Sequence, residues 1–406
     1  MINSIKINYL KYALLLYAFS FPFFRISTSY TIIPLLVASA IYIYKNKLYL
    51  NFNKKLFIRI VFCSIFFIIS LISIDINQTN NAIQYLLLRI SFVFFSFIFV
   101  FIKIKEKTLN DVLFAFISGI VTFFIIADII AIYNYSITNR TEVFIYTFLV
   151  SFTDHSPAYI SFFALISLIF CDYLNGKKYH LFQKKATYNI IYFFISLNLI
   201  LLFSRIFLIL FVLLILFKII RSIFKFQFKI KLILSYSIMF IALYLFMDKN
   251  YFIHYRFRNY MEYREMTTYK KPEDRILIWE CGLNALKEST FWGYGTGNSK
   301  DILLKKYQEN KLDHLYNSKF NAHNQYLETA LESGIIWTSL LIISMLYSMF
   351  YAFKIKNYLY FNVLSILSPF MFFESFLMTQ SGCYFTSFFI ILLFFNSTKS
   401  NVNVIQ

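Results

Sequence analysis

The chain has 406 residues, 59% of them hydrophobic and 15% charged, with a formal net charge of +19. Soluble domains carry about 25% charged residues, so an ordinary soluble fold is excluded and an all-α polytopic membrane protein, with membrane lipid as its surroundings, is expected. The positive excess does not require a nucleic-acid partner, because it gathers in short loops between apolar runs, where it reports topology.

In chain order, twelve runs of a length that crosses a ~30 Å hydrocarbon core as a helix are predicted near 8–24, 29–44, 56–74, 82–102, 112–133, 157–174, 188–203, 206–220, 230–247, 335–353, 358–376 and 382–396. Pro22 and Arg25 follow the first run in place of a small-residue cleavage pattern, so it is expected to stay as a helix. Loops 45–55, 103–107, 176–187, 218–231 and 354–356 carry 18 Lys and Arg, whereas the short loops of opposite parity carry three, Arg25, Arg140 and Arg205. Basic loops stay cytoplasmic, which predicts both termini in the cytoplasm and 248–334, between the ninth and tenth spans, facing outward. No fixed-period repeat divides the chain, so one membrane domain over 1–406 is expected. Cys63, Cys171, Cys281 and Cys383 fit neither a disulfide framework nor a metal spacing.

The window 248–334 gathers 12 of the 20 acidic residues and five of the eight glycines. Glu273 and Asp274 after Pro272 form a helix-start signal, which predicts a helix over about 273–288. Arg275 and Trp279 share one of its faces, continued by Gly282, Leu283 and Leu286. The run Gly293-Tyr294-Gly295-Thr296-Gly297 breaks the periodicity, and a second helix of about ten residues begins with Ser299 and Asp301. A third is expected from near Asn321 to Ser333, with Gly334 leading into the tenth span.

Charged groups inside spans are costly unless paired or wetted. Arg59 is placed to snorkel to the headgroups. For Arg89 and Asp128, both near the outer face, a structural ion pair and a role in substrate contact stay open, as does the role of Glu374 near the outer end of the eleventh span. Arg205 lies at an outward hairpin, where a cation opposes the orientation signal. His180, His254 and His314 are expected to be surface residues, and His155 leads into a helix at Ser156-Pro157. His323 is expected to open a helix beside Asn324, and a helix N-terminus favours the neutral ring, able to accept a proton.

Taken together, Arg205 and Arg275 as fixed cations and His323 as a base suit one reaction class. A sugar on a lipid diphosphate has a good leaving group once arginines stabilise the developing charge, and a base can activate an acceptor hydroxyl. No acidic motif for a catalytic metal is present, and no cofactor is expected. The glycine run is not a nucleotide loop, since no strand precedes it.

These residues resemble the O-antigen ligase and O-antigen polymerase superfamily. The resemblance rests on Asp274-Arg275-Ile276-Leu277-Ile278-Trp279 with Phe291-Trp292-Gly293-Tyr294-Gly295-Thr296-Gly297-Asn298, on His323-Asn324 with Gly334 after nine residues, and on Ser204-Arg205. Three residues past that glycine stands Trp337, where the family has a small residue or Tyr. The resemblance implies a membrane-embedded, GT-C-like, metal-independent and inverting glycosyltransferase of the bacterial inner membrane, with a large, mainly helical periplasmic loop and a periplasmic site. Its donor would be a polyprenyl diphosphate-linked glycan and its acceptor lipid A-core or a lipid-linked glycan. It assigns Arg205 and Arg275 to the diphosphate and His323 to the acceptor hydroxyl, with Asn324, Tyr294, Arg89 and Glu374 as accessory candidates. The short loop 134–156, with one arginine, favours ligase over polymerase. A transporter or flippase is the alternative from another class, although few Gly or Pro residues interrupt the spans.

Overall fold

The structure, a computed structural model, describes residues 2–75, 79–224 and 274–400. Among these residues every regular element is helical: α1 (Ile2–Ser20), α2 (Arg25–Lys45), α3 (Lys54–Cys63), α4 (Ile65–Ile72), α5 (Thr79–Arg89), α6 (Ser91–Phe101), α7 (Glu106–Thr138), α8 (Tyr146–Leu149), α9 (Pro157–Gly176), α10 (Lys185–Leu201) and α11 (Arg205–Phe224). Past the segment that is not described follow α12 (Asp274–Glu288), α13 (Ser299–Glu309), α14 (Asp313–Asn317), α15 (Gln325–Lys354), α16 (Tyr358–Phe373), α17 (Gln380–Phe385) and α18 (Ile391–Ser400). Polar side chains start several of them: Asn53 accepts from Leu56 N at 3.1 Å, Asn357 from Tyr360 N at 3.1 Å and Thr379 from Gly382 N at 3.2 Å.

The chain is a helical polytopic membrane protein. Among the described residues five stretches are long and apolar enough to cross a membrane: Arg25–Lys45, Ala82–Phe101, Glu106–Thr138, Pro157–Gly176 and Gln325–Lys354. A sixth is added if α3 and α4, bent by 69°, form one span. The runs expected at 188–203, 206–220, 358–376 and 382–396 fall on shorter apolar helices, the last interrupted by a π turn over Thr386–Ile390. The run expected at 230–247, with His254 and Glu273, lies outside the described residues.

The chain divides into two compact units, 1–116 with 273–406, and 117–272. In lipid, helices associate through close packing rather than through expulsion of water, and the first unit does so with aromatic rings. Tyr17 and Phe388 meet edge to face at 4.9 Å between centroids, and Phe116 and Phe389 at 5.0 Å. The described part of the polar window belongs to this unit and builds a core of its own from Ile278, Cys281, Ala285, Leu303, Tyr307 and Leu331. Of the stripe that continues the Arg275 and Trp279 face, Gly282 and Leu286 are buried and Leu283 is 53% exposed, and the buried side of α12 also takes in Ile278, Cys281 and Ala285. Outside this core Lys306 bridges Glu288 at 2.6 Å and Glu309 at 2.8 Å. Those bonds hold the Lys306 ammonium above its usual range, and the bond to Lys306 holds the Glu288 carboxyl below its own.

In the second unit α9 is buried along almost its whole length. Its Asp172 pairs with Lys218 at 2.6 Å, and Asp128 accepts from the Asn198 amide at 3.3 Å. These contacts offset the cost of charge within apolar helices.

Candidate active site

The site begins at α12, whose second residue is Arg275. One turn on, Trp279 Nε1 donates to the Ala322 carbonyl at 3.0 Å and its ring meets Phe372 edge to face at 5.3 Å. This pins the start of α12 beside the segment that carries His323. Asn324 caps α15, its Oδ1 accepting from Tyr326 N at 3.0 Å and Leu327 N at 3.1 Å. His323 therefore precedes the cap and lies outside the helix that it was expected to open. Its φ of +44° is left-handed, a conformation that non-glycine residues hold only where the surroundings enforce it. Here the His323 N–H donates to Asn321 Oδ1 at 3.1 Å, and the ring packs on Phe320 at 5.6 Å.

Glu374 forms the C-cap of α16 in an extended conformation, with φ −146° and ψ 142°. Its Oε2 lies 3.2 Å from His323 Nδ1 and its Oε1 3.3 Å from Arg275 Nη2. One carboxylate thus joins a histidine and an arginine that are 48 residues apart in sequence with a third segment. Because a carboxylate only accepts, the contact places the proton on Nδ1 and leaves Nε2 as the accepting nitrogen. The same charge would stabilise an imidazolium formed at that ring. His323 is 26% exposed and Arg275 43%, so both can meet a ligand from outside.

The glycine run has a structural task. Gly334 interrupts α15 with φ +80° and ψ 172°, which strips helical partners from the groups on either side. The run and Thr290 before it supply them: Tyr294 N donates to Leu331 O at 2.7 Å and Gly295 N to Glu332 O at 2.9 Å, while Ile335 N donates to Thr290 O at 2.8 Å. A Cβ on Gly334 would sit 2.0 Å from Phe291 O, and one on Gly293 2.6 Å from the Glu332 backbone, so the two strands of chain touch without room for side chains. Tyr294, an accessory candidate, donates its hydroxyl to Ala285 O at 2.7 Å, and burial raises that hydroxyl above its usual range.

Arg89 is fully buried and pairs with Glu332 at 2.8 Å. It also donates to Ser70 Oγ at 2.8 Å, and its guanidinium lies 4.7 Å from the Phe66 ring centre. The other oxygen of Glu332 accepts from Gly297 N at 2.8 Å. Arg89 therefore ties the scaffold to the glycine turn, and the structural ion pair is the reading that its surroundings favour. The His314 ring meets Asp274 at 3.1 Å on an exposed surface.

The structure brings together His323, Arg275, Glu374 and Asn324 in the first unit. Arg205 belongs to the second unit, as the first residue of α11. Glu332, and the buried carboxylate of Glu328 on the same helix, carried no role in the sequence reading. They stand four residues apart on one face of α15, and that helical spacing was the available signal.

No curated protein matches the chain. The family model described as O-Antigen ligase matches residues 190–342, a stretch that holds Arg205, Arg275, Tyr294, His323 and Asn324, and this match supports the O-antigen ligase and polymerase superfamily as the family of the chain.

Proposed function

We propose that the protein is an O-antigen ligase, transferring a polyprenyl diphosphate-linked glycan to lipid A-core at the periplasmic face of the bacterial inner membrane, with inversion and without a metal. The observation that carries this reading is the Glu374 carboxylate shared by His323 and Arg275. His323 Nε2 takes the proton of an acceptor hydroxyl as its oxygen attacks the anomeric carbon. The bond from that carbon to the diphosphate oxygen breaks, and the electron pair leaves with the polyprenyl diphosphate. Arg275, and Arg205 in this reading, stabilise the charge that develops there. The chain is then a single membrane domain of about twelve spans with both termini cytoplasmic and the window 248–334 in the periplasm. Joining one lipid-linked repeat to another would use the same groups, so polymerase is the second reading, and the short 134–156 loop favours the first.

Deleting the gene and inspecting the lipopolysaccharide separates the readings. Core without repeats is expected, core with a single repeat would indicate a polymerase, and an unchanged profile would reject both. In purified protein Arg275→Ala and Arg205→Ala are each expected to slow transfer on the order of 100-fold. Arg→Lys should restore little, since the fork-shaped donor is lost, and full rescue by lysine would count against diphosphate recognition.

A further inference from the structure

The contact between His323 and Glu374 joins two irregular pieces of chain. His323 is left-handed and Glu374 extended, each at the edge of a helix, so helical geometry does not set the direction of either side chain. A slip of about 1 Å between reacting groups can cost on the order of 100-fold in rate, and something must hold the two pieces in register.

We propose that Glu328 and Ser375 are positioning residues, a buried clasp that sets the His323 and Glu374 contact without touching substrate. The proposal rests on the transferase reading above for its consequence in rate, and on geometry alone for the clasp. Glu328 is wholly buried on the first turns of α15. Its Oε2 accepts from Ala322 N at 3.0 Å and from the Ser375 hydroxyl at 3.0 Å. Ala322 is the residue before His323, and Ser375 the residue after Glu374. Ser375 Oγ also accepts from Asn324 N at 3.3 Å, on the other flank of the histidine. One carboxylate oxygen and one hydroxyl thus bind both neighbours of His323 to the neighbour of Glu374.

The remaining bonds make the clasp rigid. Glu328 Oε1 accepts from the Ser299 hydroxyl at 2.5 Å, and the buried Gln325 Oε1 accepts from Leu377 N at 2.6 Å. In a capping box the acidic residue stands third in the helix and reaches back to the cap N–H. Here it stands fourth and reaches two residues beyond the cap, past His323, which orders the segment that holds the base. An acidic group in this position is also favoured by the helix dipole. With donors on both oxygens and no exposed surface, Glu328 is unsuited to be the base itself.

Glu328→Ala would leave three buried donors unpaired and risks unfolding, so Ser375→Ala carries the test, in full-length protein reconstituted in nanodiscs. Ser375→Ala is expected to lower kcat about ten-fold, with donor KM unchanged. Joined with Glu374→Gln it should add little to the loss of Glu374→Gln alone, because both act through one contact. Unchanged kcat, a loss confined to KM, or additive losses would overturn the proposal. A second measurement does not depend on transfer. In ¹⁵N-histidine spectra wild-type His323 should show one tautomer, protonated on Nδ1, and Ser375→Ala a mixture. If the wild-type protein transfers no glycan, the transferase reading falls and this spectrum decides the clasp, an unaltered tautomer in Ser375→Ala overturning it.

Discussion

His323→Ala is expected to abolish glycan transfer while the protein still inserts and accumulates. A positioned general base contributes roughly 100-fold to 10,000-fold, and the contact of Nδ1 with Glu374 at 3.2 Å orients the ring for that task. The fold should tolerate the loss because the ring is partly exposed and the local chain is held by Asn321, Asn324 and Glu328. Alanine in a left-handed position costs about 1 to 2 kcal/mol, so His323→Asn, which tolerates that conformation better, should be measured beside it. Both variants should be inactive in a purified transfer assay and should retain the wild-type elution profile in detergent. Transfer at the wild-type rate by either would remove the base assignment.

The second large effect concerns stability. Arg89→Met leaves Glu332 buried without its cation, and Glu332→Met strands Arg89 in the same way. Breaking a buried pair from one side costs roughly 3–5 kcal/mol, whereas replacing both partners by apolar groups is often nearly neutral. Each single variant should therefore melt well below the wild type and accumulate poorly, and the double variant should recover most of the loss. The recovery will be incomplete because Gly297 N and Ser70 also lose their bonds to the pair. Thermal melts of the purified proteins in one detergent check this. A double variant no more stable than the worse single would show that the pair does not act as a unit.

The helices of the polar window were legible because their signals are local. Pro272 and Asp274 mark the start of α12, Ser299 and Asp301 that of α13, and Gly334 the break in α15. The site was legible as residues and not as contacts. His323, Arg275 and Glu374 were each singled out, yet Glu374 lies 51 residues beyond His323, and no periodicity reaches so far. The partner of Arg89 escaped for the same reason: Glu332 comes from a segment more than 200 residues later. The left-handed backbone of His323 also left no mark in the sequence, since it follows from tertiary contacts that enforce it.

The interruption at Gly334 gives α15 two different exteriors. Before it the helix is buried apart from the half-buried Tyr326, and after it Ile335, Ile336, Ile343, Leu346 and Phe350 are exposed. From Gln325 to Gly334 the rise is about 14 Å, and the docked glycine turn locks the junction on both sides. The height of His323 above the apolar exterior of this helix is thus a fixed length, like that of a plumb line. A substrate held in the bilayer by its tail would be measured against that length, and a sugar carried too high or too low on its anchor would miss the ring however well its chemistry matched.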